Sequence, residues 1–155
     1  MLFMLIARSL LTRYIDLNLM LGALDAFSIL EEARRILSKA FEELWEGVKS
    51  GDMLKIRDAC EKGWLATVKA VDALLLSYGF EETKAHVDRR RKLRDLSKKV
   101  HKVVELGIYD RVEARRSTLH SDGFYSGILT HEEVEEELRK VEKLIEDVEK
   151  LIRRI

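Results

Sequence analysis

Apolar residues recur every three or four positions along most of this chain, which is the spacing of one face of an α-helix. Thr130 and Glu133 form a capping-box pattern, so a helix is predicted to begin at about residue 130 and to run to the C-terminus. Its apolar positions follow in heptad-like order: Val134, Leu138, Val141, Leu144, Ile145, Val148, Leu151, Ile152 and Ile155.

Two earlier stripes predict a helical hairpin. Ser28 and Glu31 have capping-box spacing, so the first strong helix is expected to start at Ser28 and to end at Gly51. Asp52 is placed to cap a second helix that extends to about residue 78. The single cysteine, Cys60, lies in the apolar stripe of this helix and is predicted to be a buried structural thiol.

The middle of the chain predicts two more helices. The third is expected over residues 81–105, with Gly107 as its stop, and the fourth over residues 108–122. Six apolar residues of the third helix are predicted to face inward: Val87, Leu93, Leu96, Val100, Val103 and Val104.

Residues 1–27 are predicted to be a separate helical arm that packs on the body or on a second subunit, and residues 28–155 to be the main domain. Residues 1–7 are apolar, but Arg8, Arg13 and Asp16 follow too soon for a membrane span. This segment also lacks a basic n-region and a small-residue cleavage site, so no signal peptide is predicted and a cytoplasmic protein without membrane association is expected.

Composition supports an all-α fold. The chain has no proline, 36% charged residues and 46% hydrophobic residues, which favours helices throughout. It also has no glutamine and only one asparagine, Asn18, a pattern typical of thermophile proteins.

Charge is balanced overall but concentrated locally. Residues 81–116 hold 12 Lys and Arg residues against 7 Asp and Glu residues. An RNA-binding surface and a solvated thermophile surface are equally good interpretations of this run. The candidate nucleic-acid-binding residues are Arg89, Arg90, Arg91, Lys92, Arg94 and Lys98.

The richest mixture of reactive side chains lies between residues 115 and 125. Arg116 and His120 are four residues apart and would share one face of an α-helix, with Arg115 one position earlier. One interpretation is a phosphate site, in which arginine binds the anion and histidine carries a proton. The other is a helix C-terminus, where cations are favoured and Gly123 ends the helix. The histidines are too dispersed for a zinc site, so no metal and no cofactor is expected.

Two segments of this sequence resemble a known family. They are residues 59–66, Ala-Cys-Glu-Lys-Gly-Trp-Leu-Ala, and residues 119–127, Leu-His-Ser-Asp-Gly-Phe-Tyr-Ser-Gly. Together with an arginine a few residues before a histidine, they resemble HEPN domains (higher eukaryotes and prokaryotes nucleotide-binding), and most closely the archaeal PaREP-type branch.

The resemblance implies an up-and-down bundle of four to five antiparallel helices that forms a homodimer and binds RNA or a nucleotide. Active members resemble metal-independent endoribonucleases, which leave 2′,3′-cyclic phosphate ends. Carried over to this chain, the catalytic pair is Arg115 and His120, with Arg116, Asp122 and Tyr125 in support.

Two alternatives stay open at this stage. Catalytic members usually have Asn, Asp or His after the arginine, where this chain has Arg116, and the toxin branch has tyrosine at the position of Asp122. A non-catalytic interaction module is therefore one alternative. A toxin partnered by a small nucleotidyltransferase antitoxin is the other.

Overall fold

A long helical hairpin and a C-terminal helix form the body of the molecule. The computed structural model describes residues 1–155, with the side chains of residue 1 and residues 3–155. No strand occurs among these residues, so the predicted all-α helical bundle is confirmed. The helices are α1 (Leu2–Ser50), α2 (Met53–Ser77), α3 (His86–Lys99), α4 (His101–Glu105), α5 (Ile108–Arg115), a π-helix (Arg116–Ser126) and α6 (His131–Ile152).

The predicted junction between α1 and α2 is confirmed. Gly51 adopts a left-handed conformation with φ 69°, which glycine reaches without steric cost, and its N–H donates to the Gly47 carbonyl. The Asp52 side chain accepts hydrogen bonds from the backbone N–H groups of Leu54 and Lys55. These local signals turn the chain back on itself, so that α2 packs along α1.

Helix α6 closes the core against the hairpin. Its capping box is present in full, since Thr130 accepts from the Glu133 N–H while the Glu133 carboxylate accepts from the Thr130 N–H. Its apolar stripe from Val134 to Ile152 is buried, whereas Ile155 is exposed. Cys60 is also buried, as predicted, and burial raises the pKa of its thiol to about 12.

Helix α1 is continuous across the predicted boundary at Ser28, so the predicted helix start there is wrong. The helical pattern already extends upstream, and the N–H groups that Ser28 would cap are paired within the helix. Residues 3–21 of the predicted arm are exposed, whereas Ala26 is buried, so only the last residues of the arm pack on the body. None of the described helices holds a stretch long and apolar enough to cross a membrane.

The predicted third helix is two helices, so that prediction needs correction. Residues 81–85 precede α3, and Val100 interrupts the chain with φ −122° and ψ 96°, torsions that suit its β-branched side chain. Leu93, Leu96 and Val103 are buried as predicted. Val87 and Val104 are exposed instead: Val87 lies six residues before Leu93, off the buried face of α3, and Val104 is the neighbour of the buried Val103.

Candidate functional site

The polar stretch that follows α5 forms a π-helix. The prediction of an α-helix that stops at Gly123 is wrong: the π-helix runs from Arg116 to Ser126, and Gly127 ends it with φ 63°. Hydrogen bonds of a π-helix join residues five apart, and such turns occur frequently at functional sites. The Asp122 carbonyl accepts from the N–H groups of Gly127 and Ile128, so Asp122 supports the end of this turn through its backbone.

Close packing against α2 positions the π-helix. A Cβ atom added at Gly123 would lie 2.6 Å from the Cys60 Sγ, so the two helices meet without room for a side chain there. Arg57 of α2 donates from Nε to the Phe124 carbonyl and from Nη2 to the Tyr125 carbonyl, each at 2.8 Å. These bonds satisfy carbonyl groups at the end of the π-helix.

The two sequence segments that carry the family resemblance are therefore in direct contact. His120 hydrogen-bonds through Nδ1 to the Glu61 Oε2 at 2.7 Å, and its side chain is 28% exposed. An ionised carboxylate only accepts hydrogen bonds, so Nδ1 carries the proton. The other ring nitrogen, Nε2, makes no hydrogen bond within the described part of the chain. Histidine held this way is oriented for proton transfer at Nε2.

Aromatic rings surround His120. Its ring centroid lies 5.8 Å from that of Trp64, 6.4 Å from that of Phe124 and 5.0 Å from that of Tyr125. Tyr125 is five residues after His120, and the π-helical turn brings residues at that spacing together. Tyr125 is 66% exposed, so it presents a ring to solvent beside the histidine.

Arg115 points into the bundle. It is 8% exposed, and its Nε lies 2.6 Å from the Glu137 Oε2 of α6. The hydrogen bonds to this carboxylate come from Thr118 and Lys140, at 2.7 Å and 2.6 Å. Burial raises the pKa of Glu137, but these donors and the Arg115 charge outweigh it and hold the pKa below its ordinary value. Arg115 therefore neutralises a buried carboxylate that links α5 to α6.

Arg116 lies in a second polar cluster. Its Nε is 3.4 Å from the Glu113 carboxylate, which also lies 3.3 Å from the Arg90 Nε and 3.8 Å from the His86 Nε2. Burial lowers the pKa of His86 and the nearby guanidiniums lower it further, although the Glu113 charge opposes them. The His86 ring is 5.8 Å from that of Trp64, which thus contacts both histidines.

The structure separates the six basic residues proposed to bind nucleic acid. Arg89 makes a two-point ion pair with Asp72 of α2 at 2.8 Å and 3.1 Å, Arg90 joins the Glu113 cluster, and Lys92 is bonded to Asp88. Arg89 and Arg90 thus stabilise the packing of α3 on neighbouring helices, while the Lys92–Asp88 bond lies within α3 itself. The other three lie on the outer side: Arg91 is exposed, Arg94 stands over the Tyr109 ring at 5.1 Å, and Lys98 pairs with Asp95.

Sequence reasoning assigned no role to several residues of this site. Arg57, Glu61 and Trp64 are four and three residues apart, so they share one face of α2 beside its apolar stripe. That spacing could have indicated that these three side chains lie together. No sequence spacing indicates that His86 and Glu113 are neighbours, because only the packing of α3 and α5 brings them together.

The sequence matches the model of the archaeal PaREP1/PaREP8 family over residues 28–145, and the chain belongs to this family. No match was found among curated proteins or among solved structures. The matched range contains the α2 segment, the π-helix and most of α6. It therefore covers every side chain described around His120.

Proposed function

We propose that this member of the archaeal PaREP1/PaREP8 family is a HEPN-type protein that binds RNA and cleaves it without a metal, with His120 as the proton carrier. The observation that carries the proposal is the Glu61–His120 hydrogen bond of 2.7 Å beside the exposed ring of Tyr125. A carboxylate on one nitrogen of an imidazole fixes its tautomer and leaves the other nitrogen basic.

The reaction uses this basic nitrogen. Nε2 of His120 removes the proton from a ribose 2′-hydroxyl, and the 2′-oxygen attacks phosphorus. The bond from phosphorus to the 5′-oxygen breaks, and this oxygen takes a proton from a solvent water, while the imidazolium afterwards returns its proton to the solvent. The products are a 2′,3′-cyclic phosphate and a 5′-hydroxyl end. Glu61 stabilises the imidazolium that forms on His120 during the transfer.

Arg116 is the better placed of the two arginines to contact the phosphate. Its side chain is 38% exposed and its ion pair with Glu113 is long, so an anion competes readily for the guanidinium. Arg115 is buried against Glu137, and releasing it would leave that buried carboxylate without one of its charged partners. We therefore assign charge stabilisation to Arg116 and a structural role to Arg115.

The surroundings of His120 also suit a single-stranded ligand. Stacking of a base on an exposed aromatic ring, such as that of Tyr125, contributes about 1–3 kcal/mol to binding. The outer side of α3, with Arg91, Arg94 and Lys98, supplies positive charge for the phosphate backbone. Single-stranded RNA is accordingly the proposed substrate class.

The test is cleavage of single-stranded RNA without metal by the wild type, His120→Ala, Glu61→Gln and Arg116→Met. The matched control is His101→Ala, since the His101 side chain is 83% exposed and far from this cluster in sequence. We expect His120→Ala to abolish cleavage, the other two site variants to slow it by about 10²–10⁴-fold, and the control to match the wild type. Circular dichroism shows whether each variant is folded.

The ends of the product separate this activity from a contaminant. Cyclic phosphate ends that disappear in folded His120→Ala support the proposal. Equal cleavage by the wild type and His120→Ala contradicts it.

A second candidate is a non-catalytic RNA-binding module, and one observation favours it: carboxylates partner both arginines, Arg115 with Glu137 and Arg116 with Glu113. In that case RNA binds without cleavage. Binding of a fluorescent single-stranded RNA would then depend on Tyr125 but not on His120. Salt titration of the affinity measures how many phosphates the protein neutralises.

A further inference from the structure

The N-terminal half of α1 carries a regular apolar stripe that the body of the protein does not cover. Seven positions alternate at spacings of four and three residues, which is an uninterrupted heptad pattern. We call these positions the arm seam: Phe3, Ala7, Leu10, Tyr14, Leu17, Leu21 and Leu24. The six large side chains among them are all exposed, from 50% at Leu21 to 89% at Phe3.

The arm seam lies on the wrong side of α1 to meet the bundle. The buried stripe of the same helix also alternates by four and three, through Ala26, Leu30, Ala33, Leu37, Ala40 and Leu44. Continuing the arm seam would place its next position at Ser28, two residues out of step with Ala26. Two residues correspond to roughly 200° around an α-helix. The α2 and α6 helices of the same chain therefore cannot cover the seam while α1 remains continuous.

We propose that the arm seam pairs with the arm of a second copy of this chain in a coiled coil. The period is the first argument, because a sustained heptad repeat keeps an apolar seam facing another helix along its whole length. The seam spans residues 3–24, which corresponds to about 32 Å of helix. This inference does not depend on the proposed function, since no residue of the arm belongs to the site around His120.

The apolar area of the arm is sufficient for a stable dimer. Hydrophobic side chains flank the seam on both sides, namely Met4, Ile6, Leu11 and Met20. A leucine-sized side chain offers roughly 60–120 Å² for burial, so the seam and its flanks offer on the order of 800 Å² per protomer. A standard protein interface buries about 800 Å² per partner. Exposed apolar patches of this size are uncommon on monomers.

The charges of the arm suit a second copy better than a membrane surface. Arg8 and Arg13 are balanced by Asp16 and Asp25, so two arms meet without net repulsion. Helices that lie in a membrane surface usually carry a polar face rich in Lys and Arg. Here the face opposite the seam carries a single cation, Arg8, among polar and apolar side chains: Leu5, Ser9, Thr12, Ile15, Asp16 and Leu19.

The test compares oligomeric state in the full chain by light scattering. The wild type is expected at twice the chain mass of 18.0 kDa. Leu10→Glu/Leu17→Glu removes four leucines from the proposed contact in each dimer. The dissociation constant of the dimer should therefore rise by at least about 1,000-fold. The matched control, Ser9→Glu/Thr12→Glu, adds the same charge on the other face and should remain a dimer. Folding is not at risk, since all four positions are exposed.

A second measurement locates the contact on the arm. Because Cys60 is buried, a cysteine introduced on the arm is the reactive thiol. Leu17→Cys should react with a maleimide several-fold more slowly than Thr12→Cys at high protein concentration, and the difference should vanish on dilution.

Three results would overturn the proposal: a monomeric wild type at about 100 μM, a dimer that survives Leu10→Glu/Leu17→Glu, or equal thiol reactivity at all concentrations. A monomer that binds anionic phospholipid vesicles through Leu10 and Leu17 would identify a lipid surface as the occupant instead.

Discussion

The buried ion pair between Arg115 and Glu137 gives the sharpest test of which arginine stabilises the fold. The two side chains are 10% and 9% exposed, so both charges are largely withdrawn from water. Arg115→Met keeps most of the apolar stem but removes the charge and leaves Glu137 with Lys140 and Thr118. Breaking a buried pair from one side costs about 3–5 kcal/mol, and the remaining donors place this case near 3 kcal/mol.

Thermal unfolding at fixed protein concentration measures this effect. For a chain of this length about 3 kcal/mol corresponds to a fall in Tm of roughly 6–12 °C. Arg116→Met is the matched control. Arg116 is next to Arg115 in the sequence, but its guanidinium is more exposed and makes only a long ion pair. Its expected cost is about 0–1 kcal/mol. Equal Tm values for the two variants would refute the assignment of Arg115 to the fold.

The pH dependence of the same comparison checks the cause. The pKa of Glu137 is lowered in the folded protein, so its contribution is present above the ordinary value of 4.5 and is lost as the pH falls through the lower folded pKa. The difference in stability between the wild type and Arg115→Met should therefore shrink in acid below pH 4.5. A difference that is constant from pH 7 to pH 3 would show that lost packing, not charge, causes it.

Further predictions concern backbone packing, capping and titration, each measured by chemical unfolding. Gly123→Ala forces a Cβ to within 2.6 Å of the Cys60 Sγ and should cost about 1–3 kcal/mol, with circular dichroism reporting any loss of helical content. Gly22→Ala is its control, because nothing lies within 4 Å of the added atom, and it should not destabilise the protein. Asp52→Ala removes the cap of α2 and should cost about 1 kcal/mol. The pKa of His86 is lowered on folding, so the neutral histidine makes its full contribution to stability above pH 6.5. This contribution is lost as the pH falls from 6.5 through the lower folded pKa. His86→Gln should flatten the wild-type fall in stability over that range, and an unchanged fall would exclude His86 as its cause.

The parts of the fold that sequence predicted correctly are those that local chemistry decides. Asp52 and Thr130 cap their helices through their own side chains, and Gly51 provides a left-handed turn that costs other residues energy. The period of the stripe in α6 likewise identifies the residues it buries. None of these features depends on knowing what lies across the core.

The parts that sequence missed depend on contacts between distant segments or on competing local signals. Ser28 has a capping pattern, yet the helix continues through it because the residues just before Ser28 do not end the preceding helix. Gly123 resembles a helix stop, but it serves as the point of closest approach to Cys60. In both cases the residue type was identified correctly and its role was decided by its surroundings.

The candidate site shows the same limit at the level of single residues. Arg115, Leu119 and Gly123 are four apart and buried, whereas Arg116 and His120 occupy the next position along and lie at the edge of the bundle. A one-residue difference in phase therefore decides which arginine neutralises Glu137 and which one stays near solvent with His120. The arginine–histidine spacing in the sequence fits both arginines, so it could not make this distinction. Only the packing of the π-helix on α2 and α6 separates them, and it leaves Arg116 as the more exposed arginine of the two.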